Sequence, residues 1–366
     1  MAATPRLSHR VIHALYDAMA WYRNNRGVGK AGVVLNYYNL WRGLHALTVN
    51  ISEEGWDALR ELARSLNIRL RSREEEWTFL FAIETYLHLF MRALTLSKLG
   101  ISANTVQSFV NAITSRRNVF QPSPLEWVFE AVNDSALDQN IRSQLSQNLN
   151  TMFAVLYNLN TTTLTTDVFR DIYQRILPPA IRRSLGEFYT QDNIVDEVLD
   201  AAGLNDDAIR DLYEEWKKGG KPIILDPACG SGSFLVKIVE RIFRALGCRP
   251  DIASFVEEVL VGIDINPFAV EMAKLNLVIA LVGHMYEECR QAVYTPSKLR
   301  VYWADSLSQF KRNKNILGEG SVKIYVPSLA QVAQTTEVAI PELPGVGTDK
   351  LVNLVVEYAE GGRSVQ

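Results

Sequence analysis

The stretch Asp226-Pro227-Ala228-Cys229-Gly230-Ser231-Gly232-Ser233-Phe234 holds the residue types best suited to chemistry. Its two glycines allow the backbone to approach a ligand closely. A helix beginning after them would offer free N–H groups and a partial positive charge to a carboxylate or phosphate. The spacing is not G-x-G-x-x-G and lacks the Gly-Lys-Ser/Thr of a P-loop, so neither a dinucleotide dehydrogenase nor an NTPase fits. Taken alone, the loop reads equally well as a structural turn. A second acid stands in Gly262-Ile263-Asp264-Ile265-Asn266-Pro267 and a third in Trp303-Ala304-Asp305. An acid at the carboxyl end of a second strand is where a ribose diol can be held by two charge-assisted hydrogen bonds. Asp264 could instead cap a helix starting near Pro267, a role Asn266 fills equally well. Asp305 could accept from the exocyclic amino group of an adenine, or be a loop residue.

These residues need elements to position them. Ile223-Ile224-Leu225 reads as a short strand, Asp226 to Gly232 as a loop, and Ser233 to Leu246 as an amphipathic helix closed by Gly247. Val259 to Ile263 reads as a second strand, Pro267 to Val282 as a helix with proline at its start and Gly283 just past its end, and Arg300 to Trp303 as a third strand. Such alternation predicts a parallel sheet with helices on both faces, and ligands in such sheets bind outside the carboxyl ends of the strands. The three acids follow three successive strands. Residues 1 to about 160 differ: apolar positions recur at three- and four-residue spacing, Gly and Pro are sparse, and no strand alternation is sustained. They predict one α-helical domain, with a long helix from Glu74 stopped by Gly100 and a turn at Gln121-Pro122-Ser123-Pro124. The polar stretch Asn158 to Thr163 is the linker, so the predicted domains are 1–160, helical, and 161–366, α/β.

The chain has 366 residues, 48% hydrophobic, 22% charged and 10% aromatic, with a formal net charge of −3. That composition excludes a disordered chain and bounds the fold to two or three domains. Cys229, Cys248 and Cys289 are odd in number, without CxxC spacing or a neighbouring His cluster, which argues against a disulfide framework or a zinc site and predicts a cytoplasmic home. No signal-peptide pattern opens the chain. The strongest membrane lookalike, Trp77 to Leu99, contains Glu84, His88, Arg92 and Lys98 and reads as a buried helix, so no membrane partner is expected. Charge is uneven: the first fifty residues carry Arg6, Arg10, Arg23, Arg26, Lys30 and Arg42 against Asp17 alone, consistent with a phosphate-facing surface or with ordinary solvated helix faces.

Taken together, the loop and the acids resemble S-adenosylmethionine-dependent methyltransferases, and most nearly the N6-adenine DNA methyltransferases of restriction–modification systems, including type I modification subunits and the methyltransferase part of fused restriction enzymes. Three stretches carry the likeness: Leu185-Gly186-Glu187-Phe188-Tyr189-Thr190-Gln191, Leu225 to Leu235, and Val261 to Leu277. The family's common form of the first ends in proline, where this chain has Gln191. The likeness covers about 165–305 and, more loosely, the helical region around Phe79 to Tyr86. It implies a Rossmann-like methyltransferase domain binding S-adenosylmethionine. Asp226 and Gly230 would line the methionine part, Asp264 would hold the ribose and Asp305 the adenine amino group. Tyr189 and Thr190 would pack against the cofactor, and Ala228, Gly232, Phe234 and Ile265 would complete the lining. The partner implied is double-stranded DNA with its target adenine flipped out, alongside further restriction–modification subunits or domains. Cys229 reads as a packing residue.

The family's Asn/Asp-Pro-Pro-Tyr/Phe motif, which polarises the adenine amino group and stacks the base, does not occur; Asn266-Pro267-Phe268 lacks the second proline. The expectation is therefore an amino-terminal portion of a longer enzyme, with the cofactor half, no catalytic residue and no metal ligands of its own, and incomplete at the carboxyl end of the α/β domain. No acid followed by Glu-x-Lys on a strand is apparent, so cleavage is not expected. Two other readings stay open: a non-catalytic subunit that keeps the cofactor fold to bind DNA or protein, and a methyltransferase acting on RNA or protein.

Overall fold

Hydroxyl side chains and one aspartate cap several helices of the first half. Ser52 Oγ accepts from Gly55 N–H at 3.1 Å ahead of α3 (Glu53–Ser65), and Ser72 Oγ accepts from Glu75 N–H at 3.2 Å ahead of α4 (Arg73–Lys98). Each is followed by two or three glutamates that oppose the positive end of the helix dipole. Asp138 caps α7 (Gln139–Tyr157), and Thr105 with Ser108 forms a capping box on α5 (Val106–Thr114). The remaining elements of this half are α1 (Thr4–Asn24), α2 (Ala31–Thr48), a 3₁₀ turn (Pro124–Glu126) and α6 (Val128–Val132). The computed structural model describes residues 4–48, 50–117, 119–161, 169, 176–184, 190–287, 289, 294–296, 298–304, 306, 321–326 and 336–341.

Helix α4 is buried almost all round, as its apolar composition demands, and α1, α2 and α7 pack around it. Several of its buried polar residues are paired inside. Glu84 accepts from Trp41 Nε1 at 2.8 Å and meets His45 Nε2 at 2.9 Å, while Trp127 Nε1 donates to Thr85 Oγ1 at 2.9 Å. Among the described residues, two helices could cross a membrane by length and hydropathy, Arg73–Lys98 and Pro267–Glu287, yet 100% and 89% of their apolar windows are buried within the protein.

The second half holds α8 (Pro179–Ser184), α9 (Asp192–Ala201), α10 (Asp206–Lys217), β1 (Ile224–Asp226), α11 (Ser233–Leu246), α12 (Ile252–Val259), β2 (Leu260–Asp264), α13 (Pro267–Glu287) and β3 (Arg300–Trp303). Strands β1, β2 and β3 pair in that order, all parallel, with Asp226 opposite Gly262 and Asp264 opposite Trp303. The predicted β–α–β–α–β order is present, with α12 as an additional short helix before β2. Strands β4 (Ser321–Val326) and β5 (Thr336–Pro341), absent from the sequence reading, form a separate antiparallel pair.

Two differences have clear physical causes. Helix α13 does not stop before Gly283 but runs to Glu287, because Gly283 and Met285 are buried and His284 stacks on Phe243 with centroids 4.8 Å apart. Those contacts outweigh the roughly 1 kcal/mol a glycine costs inside a helix. The expectation of unpaired cysteines is also overturned: Cys248, just beyond α11, and Cys289, just beyond α13, are joined in a disulfide across 41 residues of sequence. Nothing in their spacing announces the pairing, which depends on the ends of two helices meeting in space.

Helix α13 belongs to both hydrophobic clusters. Phe268, Met272, Leu275 and Ile279 join the core of the first half, while Val270, Ala273, Leu277 and Leu281 join the core around β1–β3. Where the two meet, Arg92, 1% exposed, donates to Glu271 Oε1 and Glu126 Oε1, both at 2.6 Å, and to the Gln121 carbonyl at 2.5 Å. One helical turn on, Lys274 Nζ donates to Gln121 Oε1 at 2.7 Å.

Candidate functional site

The carboxyl edge of the sheet is drawn together by backbone hydrogen bonds. Cys229 N–H donates to the Ile263 carbonyl at 2.9 Å, laying the glycine-containing turn across the end of β2. Gly232 N–H donates to the Cys229 carbonyl at 2.8 Å, closing the turn before α11. Both glycines have positive φ, +53° at Gly230 and +88° at Gly232, a region costly for other residues. Their surroundings differ. A Cβ on Gly232 would lie 3.0 Å from the Ala273 Cα, so this glycine lets α13 approach, whereas a Cβ on Gly230 would meet nothing within 4 Å. Gly232 therefore serves packing, and Gly230 leaves open space over its backbone.

Asp264 links the turn to β2 and β3. Its Oδ2 accepts from Gly230 N–H and its Oδ1 from Asn266 N–H, both at 2.8 Å, while its carbonyl accepts from Ala304 N–H at 3.0 Å. The cap of α13 is Asn266, whose Oδ1 accepts from Phe268 N–H at 2.9 Å. Asp264 is thus free of the capping role that the sequence left open. Asp226 Oδ1 accepts from Ala228 N–H at 3.1 Å, whereas its Oδ2 is buried without a hydrogen-bond partner. Burial, with the nearby Asp264 adding to it, raises the Asp226 carboxyl above the ordinary carboxylate range. Burial likewise pushes the Cys229 thiol well up, and the two aspartates reinforce the effect, so it packs as a neutral thiol.

The structure therefore brings Asp226, Ala228, Gly230, Gly232, Asp264 and Ile265 to one edge. Ala228 and Ile265 are exposed there, and Phe234 is half-buried in the first turn of α11, against the second core. Thr190 is half-buried just ahead of α9. Tyr189 and Asp305 lie outside the described residues, as does the rest of the Leu185-to-Tyr189 stretch.

Three supporting residues escaped the sequence reading. Asn276, 0% exposed, donates from Nδ2 to the Ser231 carbonyl at 2.9 Å, tying α13 to the turn. Ala273 provides the small surface against Gly232. Trp303 Nε1 donates to the Ile265 carbonyl at 2.8 Å, holding the segment after β2 against the end of β3. Asn276 alone had a legible signal, an amide in the middle of an otherwise apolar helix, where burial demands a partner.

A small parallel sheet with a glycine-containing turn after its first strand and an acid after its second defines an α/β unit with both at its carboxyl edge. Residues 164–310 match the family model of N-6 DNA methylases. Among curated proteins, the chain is 30% identical over 156 residues to the DNA methyltransferase A of Bacillus subtilis strain 168, covering 37% of this chain and 18% of that protein. It is 33% identical over 120 residues to the adenine-specific methyltransferase PglX of Streptomyces coelicolor, covering 31% of this chain and 9% of that protein. No solved structure matches. The segment 164–310 is thus similar to N6-adenine DNA methyltransferases, and the chain spans less than a fifth of the length of either relative.

Proposed function

We propose that this chain carries the cofactor-binding half of an S-adenosylmethionine-dependent N6-adenine DNA methyltransferase serving restriction, modification or phage defence. The carrying observation is the pairing of a buried, unpartnered Asp226 Oδ2 with the open face above Gly230. A buried carboxylate oxygen with no donor is costly, and a ligand that brings an ammonium group removes that cost. The amino-acid end of S-adenosylmethionine has such a group. Gly230 lets the ligand approach the backbone where any side chain would intrude. Asp264 already accepts two backbone N–H groups, and an ionised carboxylate has about four acceptor sites, so capacity remains for a ribose diol.

When bound, the cofactor supplies an electrophilic sulfonium methyl group. The chain's own residues bind and orient it: Asp226 at the amino end, Asp264 at the ribose, and Gly230, Gly232, Ala228, Phe234, Ile265 and Thr190 as lining. Tyr189 and Asp305 are assigned to the same lining on the family likeness. Rigid positioning is the main requirement of methyl transfer, and here it comes from the Asn276 and Ala273 contacts of α13. No residue between 1 and 366 is assigned to polarising the adenine amino group. Double-stranded DNA is the proposed substrate of the whole protein.

The test is calorimetric titration of the chain with S-adenosylmethionine, with NAD and ATP as controls. Micromolar, selective binding supports the reading; no heat from a folded sample, or equal binding of all three, rejects it.

A further inference from the structure

Helices α1 and α7 pack side by side, and the groove between them is a cavity of about 310 Å³ lined by Arg10, His13, Ala14, Gln144, Gln147, Asn148 and Thr151. The polar lining is regular. On α7 the side chains at 144, 147, 148 and 151 follow the i, i+3, i+4, i+7 spacing of one helix face, opposite the buried face of Leu145, Leu149, Met152 and Leu156. On α1 the same spacing aligns Arg6, His9, Arg10 and His13, the first three exposed. Arg6 and Arg10 are the arginines of this face and Asp17 is the one acid of the two helices, in a chain whose formal net charge is −3; Arg23 and Arg142 are turned to other partners, Thr78 and Glu74 for the first and the Asp134 carbonyl for the second. Asp17 is engaged: its Oδ2 lies 2.9 Å from His13 Nδ1, and that hydrogen bond raises the His13 pKa above its ordinary value.

We propose that this groove binds the sugar-phosphate backbone of duplex DNA. A guanidinium, an imidazole, carboxamides and a hydroxyl are the groups that contact phosphate and sugar oxygens, and such contacts set orientation without reading sequence. Ala14 is the single apolar residue in the lining, so bases have no stacking platform and an acyl chain or apolar peptide anchor has no seat. The choice of DNA among polyanions rests on the methyltransferase reading above. The role is then to position the duplex on the helical region while the α/β unit holds the cofactor.

The experiment uses the full chain and fluorescence anisotropy with an end-labelled duplex of about 20 base pairs, between about 50 and 200 mM salt. Wild type is compared with Arg10→Gln and with Gln147→Glu, both at exposed positions, and thermal melts report folding. We expect Arg10→Gln to reduce the slope of log affinity against log salt by about 1. Gln147→Glu should weaken binding at low salt by about tenfold through repulsion of the phosphates. Wild-type slopes and affinities in both variants overturn the proposal, as does failure of the wild type to bind duplex at the lowest salt. Tighter binding of polyglutamate or single-stranded RNA than of duplex overturns the choice of DNA. Titration of the same samples with S-adenosylmethionine keeps the two readings separate: variants that lose DNA while keeping cofactor affinity locate the defect in the groove, and DNA binding without cofactor binding retains the groove and rejects the cofactor site.

Discussion

Replacing Arg92 by methionine tests how the two halves are joined. The guanidinium is buried and makes three charge-assisted bonds, to Glu271 on α13, to Glu126, and to the Gln121 carbonyl. Burial by itself would push the Glu271 carboxyl up, but the adjacent Arg92 overcomes it and holds the group at about 2, below its ordinary 4.5. At about 1.4 kcal/mol per unit, that depression corresponds to about 3 kcal/mol of favourable interaction, within the roughly 3 to 5 kcal/mol that removing one partner of a buried pair costs. Glu126 keeps Arg117, whose Nη1 lies 2.9 Å from its Oε1, whereas Glu271 keeps the His88 imidazole, 2.9 Å from its Oε2, whose pKa burial lowers, so Glu271 is the carboxylate that loses its permanent positive partner. Urea denaturation at neutral pH should therefore place Arg92→Met about 3 to 5 kcal/mol below wild type. Adding Glu271→Met to the same chain removes the stranded carboxylate and should restore part of the loss, because hydrophobic replacement of a whole buried pair is often close to neutral. The pH dependence has a definite sign. A carboxyl whose folded pKa lies below its unfolded value stabilises above about 4.5 and loses that contribution as pH falls towards about 2. The wild type should lose more stability over that window than the double variant. A loss under about 1 kcal/mol in Arg92→Met, or a double variant no better than the single, would refute the reasoning.

Asp264→Ala should weaken S-adenosylmethionine binding by about 1.5 to 3 kcal/mol, roughly 10- to 150-fold in Kd by calorimetry, and unchanged affinity would sink the ribose assignment. Gly230→Ala and Gly232→Ala should separate ligand from packing: the first costs about 1 kcal/mol of stability yet removes most cofactor affinity, and the second lowers the melting temperature more because its methyl meets Ala273. Cofactor affinity unaltered in Gly230→Ala would remove that residue from the cradle. Burial depresses Lys274 to about 8, so the folded state sheds its proton first and stability should rise from pH 8 towards 10. Lys274→Met should flatten that rise in thermal melts, with Lys98, also held near 8, supplying the remainder. Reduction of Cys248–Cys289 should lower stability by about 2 to 4 kcal/mol, and Cys248→Ser should melt alike with and without reductant.

Local pattern carried much of the fold. The periodicity of residues 1–160, the serine before α4, the proline opening α13 and the strand at 300–303 are short-range features that constrain backbone geometry within a turn or two, and they are legible without neighbours. The glycine-containing turn and the two acids that end β1 and β2 were legible for the same reason, since a parallel sheet places whatever follows each strand at one edge. Other features depended on distant residues meeting. Arg92 and Glu271 are 179 positions apart, and each read singly is only a charge on an apolar helix. Asn276 acquires its role by reaching the carbonyl of Ser231, 45 residues earlier, and Gly232 differs from Gly230 only because Ala273 stands against it. The cysteines joined because two helix ends converge. Periodicity determines which elements form and which face is apolar; the choice of partner across the core belongs to packing, where shape and the cost of an unpaired buried charge select among arrangements that the sequence alone leaves equivalent.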